Sequence, residues 1–248
     1  VMGEELKKTG AGNLFTVFCF GWPDAAAQAT IAAHRGLLAA LEVVLKWPLA
    51  ADTPQRLARL RQACGVPLHV SRFWSASGQS RDGKQIKLLV DHGFTPADTV
   101  ALADLGAAVR DGVVDALVFR VAASTPAPGG IADAVRTAAA MGARAQVHVR
   151  LASDSPAQAC NDAAANTTRV LQAALCAHAE PAADVFIDTL ADVDRGYFPR
   201  AGLVDLRFNP HASGRALRNL HGVLSTRPLH GRLRWQDDGQ ALVAIGRH

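Results

Sequence analysis

The sequence predicts a parallel α/β fold made of repeated strand–helix units, a (β/α) barrel in one domain. Three observations lead there. Short β-branched and aromatic runs alternate with alanine-rich stretches of helical length, which is the pattern of βα units around a parallel sheet. A chain of 248 residues is long enough to hide roughly three quarters of its unfolded surface in one core. Nothing reads as an interdomain linker, since the Pro/Gly segment "STPAPGG" (124–130) is only a short β-to-α loop. An open, doubly wound sheet is the competing arrangement.

Strands are expected at "LFTVFCF" (14–20), "LEVVLKW" (41–47), "PLHVSRFW" (67–74), "ALVFRVA" (116–122), "AQVHVRLA" (145–152) and "DVFIDTLA" (184–191), with "KQIKLLVDHGF" (84–94) as a possible seventh. Between them lie helical stretches at 26–40, 53–65, 96–112, 130–143 and 155–179. Asp52-Thr53-Pro54 and Thr95-Pro96 mark helix starts, and Gly65, Gly112 and Gly142 mark helix ends. "IAAHRGLLAALEVVLKW" also reads as one long amphipathic helix, and only Val43 and Val44 tilt its second half toward a strand. Near the C-terminus "GRLRWQ" and "ALVAIGR" flank "DDGQ", where Asp-Gly between alternating apolar runs reads as a hairpin. The expected organisation is a TIM-like (β/α) barrel, complete or partial, over residues 1–222. A short antiparallel β-hairpin over 223–248 packs on the same domain.

Composition excludes several classes of function. Apolar residues make up 49% and charged residues 19%, which rules out a disordered chain. Net charge is +4 with a pI near 9.1, but the basic residues are scattered and Lys7–Lys8 is the single adjacent pair. A nucleic-acid groove would interleave basic runs with aromatics, so the expected partner is a small anionic or polyhydroxylated molecule. Cys19, Cys64, Cys160 and Cys176 have no CxxC spacing and read as buried thiols in a reducing, cytoplasmic compartment. No apolar run is long enough for a membrane span. The start "VMGEELKKTGAGN" lacks the apolar stretch of a signal peptide; Val1 precedes Met2, as in a fragment or a chain with a short foreign leader.

The chemistry gathers at the strand ends. Near-equivalent exit positions carry Gly21, Lys46, Arg72, Arg120, Arg150 and Asp188. Buried and unpaired, such charges are expensive; converging at the mouth of a barrel, they pair with a carboxylate, phosphate or sugar. His148 and Arg150 are two residues apart and share a strand face, and Gln146 extends that polar stripe inward. Arg72, Arg120 and Arg150 are expected to clamp anionic oxygens, and Asp188 to act as acid/base with Lys46 as a second. Asp192, Asp194 and Tyr197 would order substrate hydroxyls from the next loop. Trp22, Trp47, Phe73 and Trp74 follow strand exits, either as a stacking platform for sugar rings or as caps of the core. No GxGxxG, P-loop, GxSxG or HExxH motif occurs, and no cofactor is expected.

The passage "GLVDLRFNPHASGRALRNL" (202–220) resembles the way many TIM-barrel glycoside hydrolases finish, with a "GL.D…NPKPA…L" segment entering the last helix. Gly202, Leu203, Asp205, Asn209, Pro210 and Leu217 match in order, while His211 and Ala212 replace a lysine and a proline. The resemblance covers about 35 residues and implies a barrel acting on carbohydrate. It also implies a pair of catalytic carboxylates, commonly glutamates, and this chain departs there: its glutamates are Glu4, Glu5, Glu42 and Glu180, none at a late strand end. Xylose-isomerase-like barrels are a second comparison, with Glu42, His69, His148 and Asp188 as candidate metal ligands. Glu42 lies at the wrong end of its strand for that role, so no metal is expected. Together these features point to a carbohydrate-active enzyme. A sugar-acid or sugar-phosphate isomerase or aldolase is the alternative, and a non-catalytic binding barrel the third reading.

Overall fold

A computed structural model describes residues 15–79, 85–152, 162–180, 182–192, 201–224, 234–235 and 241–242. Its elements are β1 (Phe15–Phe20), α1 (Ala25–Ala33), β2 (Leu38–Leu45), α2 (Thr53–Cys64), β3 (Leu68–Gln79), β4 (Gln85–His92), α3 (Thr99–Ala103), α4 (Gly106–Arg110), β5 (Ala116–Val121), α5 (Ala127–Met141), β6 (Arg144–Arg150), α6 (Ala163–Ala179), β7 (Ala183–Asp188), α7 (Ala212–Leu224), β8 (Arg234–Trp235) and β9 (Ala241–Leu242). Six parallel strands follow in the order β1-β2-β3-β5-β6-β7, and β4 pairs with β3 off that path. The order never reverses, so the sheet is wound in one direction rather than doubly wound. β8 and β9 pair antiparallel.

The chain forms two compact units. The first comprises Val1–Trp74, Asp91–Phe119 and Thr137–Ala145; the second comprises Ser75–Val90, Arg120–Arg136 and Gln146–His248.

In the first unit the ambiguous stretch after Ile31 becomes a helix and then a strand. α1 ends at Ala33, a 3-10 turn over Arg35–Leu37 absorbs Gly36, and β2 begins at Leu38. Every β2 residue except Ala39 is buried, the environment of a parallel strand covered on both faces, where β-branched residues pack well. The helix expected over 26–40 therefore stops early. α2 starts with Pro54 in its first turn and ends on Gly65 in the left-handed conformation that glycine adopts without a Cβ penalty. Leu57, Leu60 and Cys64 form its buried face. The helix expected over 96–112 is two short ones, α3 and α4. Ala101, Leu102, Leu105, Ala108 and Val109 keep the helical spacing of buried positions across the break. Phe94, fully buried, bridges to Phe119 and packs against its ring.

In the second unit α6 is capped by Asp162, whose carboxylate accepts from the backbone of Ala164 and Ala165. Leu151, Val170, Ala201 and Leu203 make a buried cluster with Ile187 and Leu217 packed against it. α7 approaches this cluster closely. A Cβ on Gly214 would overlap the Leu203 carbonyl, and one on Gly202 would overlap the backbone of Ala191 and Asp192.

Candidate functional site

The expected polar stripe is present on β6. Ala145, Val147 and Val149 are buried on one face, and Gln146, His148 and Arg150 alternate onto the other. The Gln146 amide meets His148 Nε2 at 2.7 Å, and donating there leaves His148 Nδ1 as the protonated nitrogen. The His148 ring stacks on Phe186 of β7, centroids 5.2 Å apart. At the ends of these two strands Arg150 pairs with Asp188 through Nη1 and Oδ2, and the Leu151 N–H donates to the Asp188 carbonyl at 3.0 Å. The Arg150 side chain is 14% exposed and that of Asp188 40%, so the pair opens toward solvent on the carboxylate side. Arg120, at the corresponding end of β5, is buried.

Sequence reasoning missed the residue that holds these strand ends. Arg169 of α6 donates to four backbone carbonyls: Arg150 from Nε at 2.7 Å, Thr125 at 2.6 Å, Ala122 at 2.6 Å and Val121 at 3.3 Å. The C-terminal carbonyls of parallel strands have no further strand to bond, and a guanidinium fork satisfies several at once. An arginine beside the buried Val170 carries no sequence signal that separates it from a solvated one. A cleft of about 470 Å³ opens here, lined by Ala123, Leu151, Asn166, Arg169 and Gln172 among others.

Asp192 is buried and held by protein. It accepts from Gly202 N–H at 3.0 Å and faces His211 Nε2 at 3.0 Å, so its two oxygens are engaged by protein. Asp194 and Tyr197 lie outside the described residues. Asp205 accepts from the backbone of Arg207 and Asn209 and from the Asn209 side chain. The Asn209 side-chain bond is the largest influence, followed by its backbone bond, and the carboxyl is held below its ordinary value. The "GLVDLRFNP" passage is thus a tied corner.

In the first unit Lys46 is exposed just past β2, with its ammonium 5.3 Å from the Phe73 ring centroid. Arg72 sits within β3, not at its exit, and pairs with Asp98. Trp22 lies under the Arg56 guanidinium at 4.2 Å, and Trp47 stands edge-on to Phe94 and donates to Asp104 at 3.0 Å. Trp74 is half-buried. Glu42 lies mid-strand, 2% exposed, with its Oε1 2.5 Å from His92 Nδ1. His69 is its buried register neighbour on β3.

Among the described residues no group of three or more His, Cys, Asp or Glu side chains is placed to hold a metal ion. No described helix is long and apolar enough to cross a membrane. Burial raises the thiols of Cys19 and Cys64, and burial together with Glu180 pushes that of Cys176 up to about 12, which keeps Cys176 a poor nucleophile near neutrality. Cys160 lies outside the described residues.

No family model and no curated protein matches the sequence. Among solved structures the chain is similar to a dipeptide epimerase from Methylococcus capsulatus complexed with a magnesium ion. The two are 14% identical with a TM-score of 0.31, over 70% of this chain and 55% of that one. The chain thus spans about half the length of that protein.

Proposed function

We propose that the second unit is a small-molecule site for a polyhydroxylated anion, a sugar acid or sugar phosphate, carried on a barrel-like (β/α) wall. The chemistry is of the isomerase or aldolase type, in which a proton moves beside the anionic group. The observation that carries this is the Arg150–Asp188 pair at adjacent strand ends, continuous with the His148 and Gln146 stripe. Arg150 and Arg120 supply charge for carboxylate or phosphate oxygens. Asp188, the more open partner, takes and returns the proton. His148, donating through Nδ1, orients a hydroxyl. Glycoside hydrolysis needs a second carboxylate facing the first, and Asp192, the next along the chain, is held by Gly202 and His211.

The test is a thermal-shift comparison of gluconate and glucose 6-phosphate with uncharged glucose. Proton exchange into the bound anion is then followed by NMR in D₂O. The anions are expected to raise Tm and glucose not to. Asp188→Asn is expected to stop exchange while leaving binding intact. Equal shifts with glucose, or full exchange by the Asn variant, overturns the proposal; release of nitrophenol from an aryl glycoside, abolished by the same variant, restores the glycosidase alternative.

A further inference from the structure

The corner that follows β7 presents apolar side chains that folding does not use. Leu190, Leu206 and Phe208 are 62%, 56% and 72% exposed. Single exposed leucines are ordinary, but three large apolar side chains on one corner form a patch. The backbone puts them there. The Leu190 carbonyl accepts from the N–H groups of Leu203 and Val204 at 2.8 and 3.0 Å, and the Asp205 N–H donates to the Asn209 carbonyl at 2.9 Å. Leu190 therefore lies at the base of the turn that carries Leu206 and Phe208.

Phe208 is the decisive residue. Its φ is 62°, in the left-handed region that a bulky side chain adopts rarely and at a cost. The turn holds it: the Phe208 N–H donates to the Asp205 carbonyl at 2.9 Å, and the Asp205 carboxylate accepts from the N–H groups of Arg207 and Asn209 on either side. Glycine or asparagine would take this backbone with less strain, and a ring so exposed gains little from folding. Its use lies outside the chain.

The rim indicates what covers the patch. Over residues 201–224 the charged side chains are Arg207, Arg215, Arg218 and Asp205, three positive against one negative, or +2. The three arginines are exposed. Arg207 stands between Leu206 and Phe208, and Arg215 Nη1 donates to the Pro210 carbonyl at 2.6 Å, which brings its guanidinium to the corner. Arg218 follows one turn later on α7. The neighbouring carboxylates are engaged, Asp188 with Arg150 and Asp192 with Gly202 and His211. An exposed apolar tip edged by arginines matches a bilayer interface, where rings sit at the acyl boundary and guanidinium groups at the phosphates.

We propose that this corner docks the second unit on an anionic phospholipid surface. Phe208, Leu206 and Leu190 enter the headgroup–acyl boundary, and Arg207, Arg215 and Arg218 meet lipid phosphates. The contact is peripheral and reversible.

The test floats the full chain with vesicles of phosphatidylglycerol and phosphatidylcholine in equal parts, and with phosphatidylcholine alone. Binding to the first and little to the second is expected. Arg207→Gln with Arg218→Gln is expected to weaken binding about twentyfold, roughly fivefold per charge. Phe208→Gly is expected to weaken it about tenfold with Tm held or raised, because glycine relieves the left-handed backbone. Leu206→Ser, at a second exposed position, is expected to act in the same direction. Absence of binding to the anionic vesicles, equal binding to the neutral ones, or binding unchanged in both Phe208→Gly and Leu206→Ser overturns the proposal. Capture by soluble polyglutamate as strong as by the vesicles also overturns it and assigns the corner to an acidic protein.

Discussion

The two units each set an imidazole against a polar side chain of a strand, and the neighbours differ. In the first unit the Glu42 carboxylate lies 2.5 Å from His92 Nδ1. In the second the Gln146 amide takes His148 at Nε2, which leaves Nδ1–H as a donor. The neighbour, not the imidazole, decides which work the ring can do. The carboxylates differ likewise: Glu42 is sealed, whereas Asp188 keeps two fifths of its side-chain surface. The first contact therefore bears on stability, and the second is open to solvent.

That contrast breaks most visibly at His92. His92→Ala leaves a buried carboxylate without its imidazole and is expected to lower unfolding stability by about 3 kcal/mol, read from the urea midpoint. Replacing both partners, Glu42→Leu with His92→Phe, should recover most of the loss, and a single variant as stable as the parent would show that the pair does not hold the first unit. Arg169→Ala comes next. Four carbonyls lose a charged donor, an expected loss of about 2 kcal/mol, with Arg169→Lys between the two.

Arg150→Ala should cost within about 1 kcal/mol, because Asp188 remains solvated, yet it should abolish the thermal shift given by gluconate. A large stability loss with the shift intact would reverse the contrast.

The smallest effect is at Asp205. Its carboxyl is depressed in the folded chain by Asn209, so its contribution is fully present above the ordinary value of 3.8 and lost as pH falls through the depressed one. The stability gap between the parent and Asp205→Ala, followed by thermal melts, should be constant at neutral pH and narrow in acid below about pH 4.

Where local pattern decides, the sequence is readable. The apolar runs became strands, and period-two alternation alone placed Gln146, His148 and Arg150 on one face. Where a choice is made by burial, pattern runs out: "LEVVLKW" reads equally as helix until the cover on both faces of β2 is known. Glu42 and His92 stand fifty residues apart and meet only through the pairing of strands. Arg169 looks like any helical arginine until the carbonyls it serves are in place, and Asp192 looks like a rim residue until Gly202 returns beneath it.

Arg150 is fastened twice. Its guanidinium reaches Asp188, and its own carbonyl is the acceptor for Arg169 Nε. The helix that carries Arg169 is therefore a lever on the Arg150 side chain: a slide of α6 by a fraction of a turn moves the backbone at position 150 and carries the guanidinium with it. Substitutions at Arg169 are thus able to shift the Arg150–Asp188 pair without touching either of its side chains.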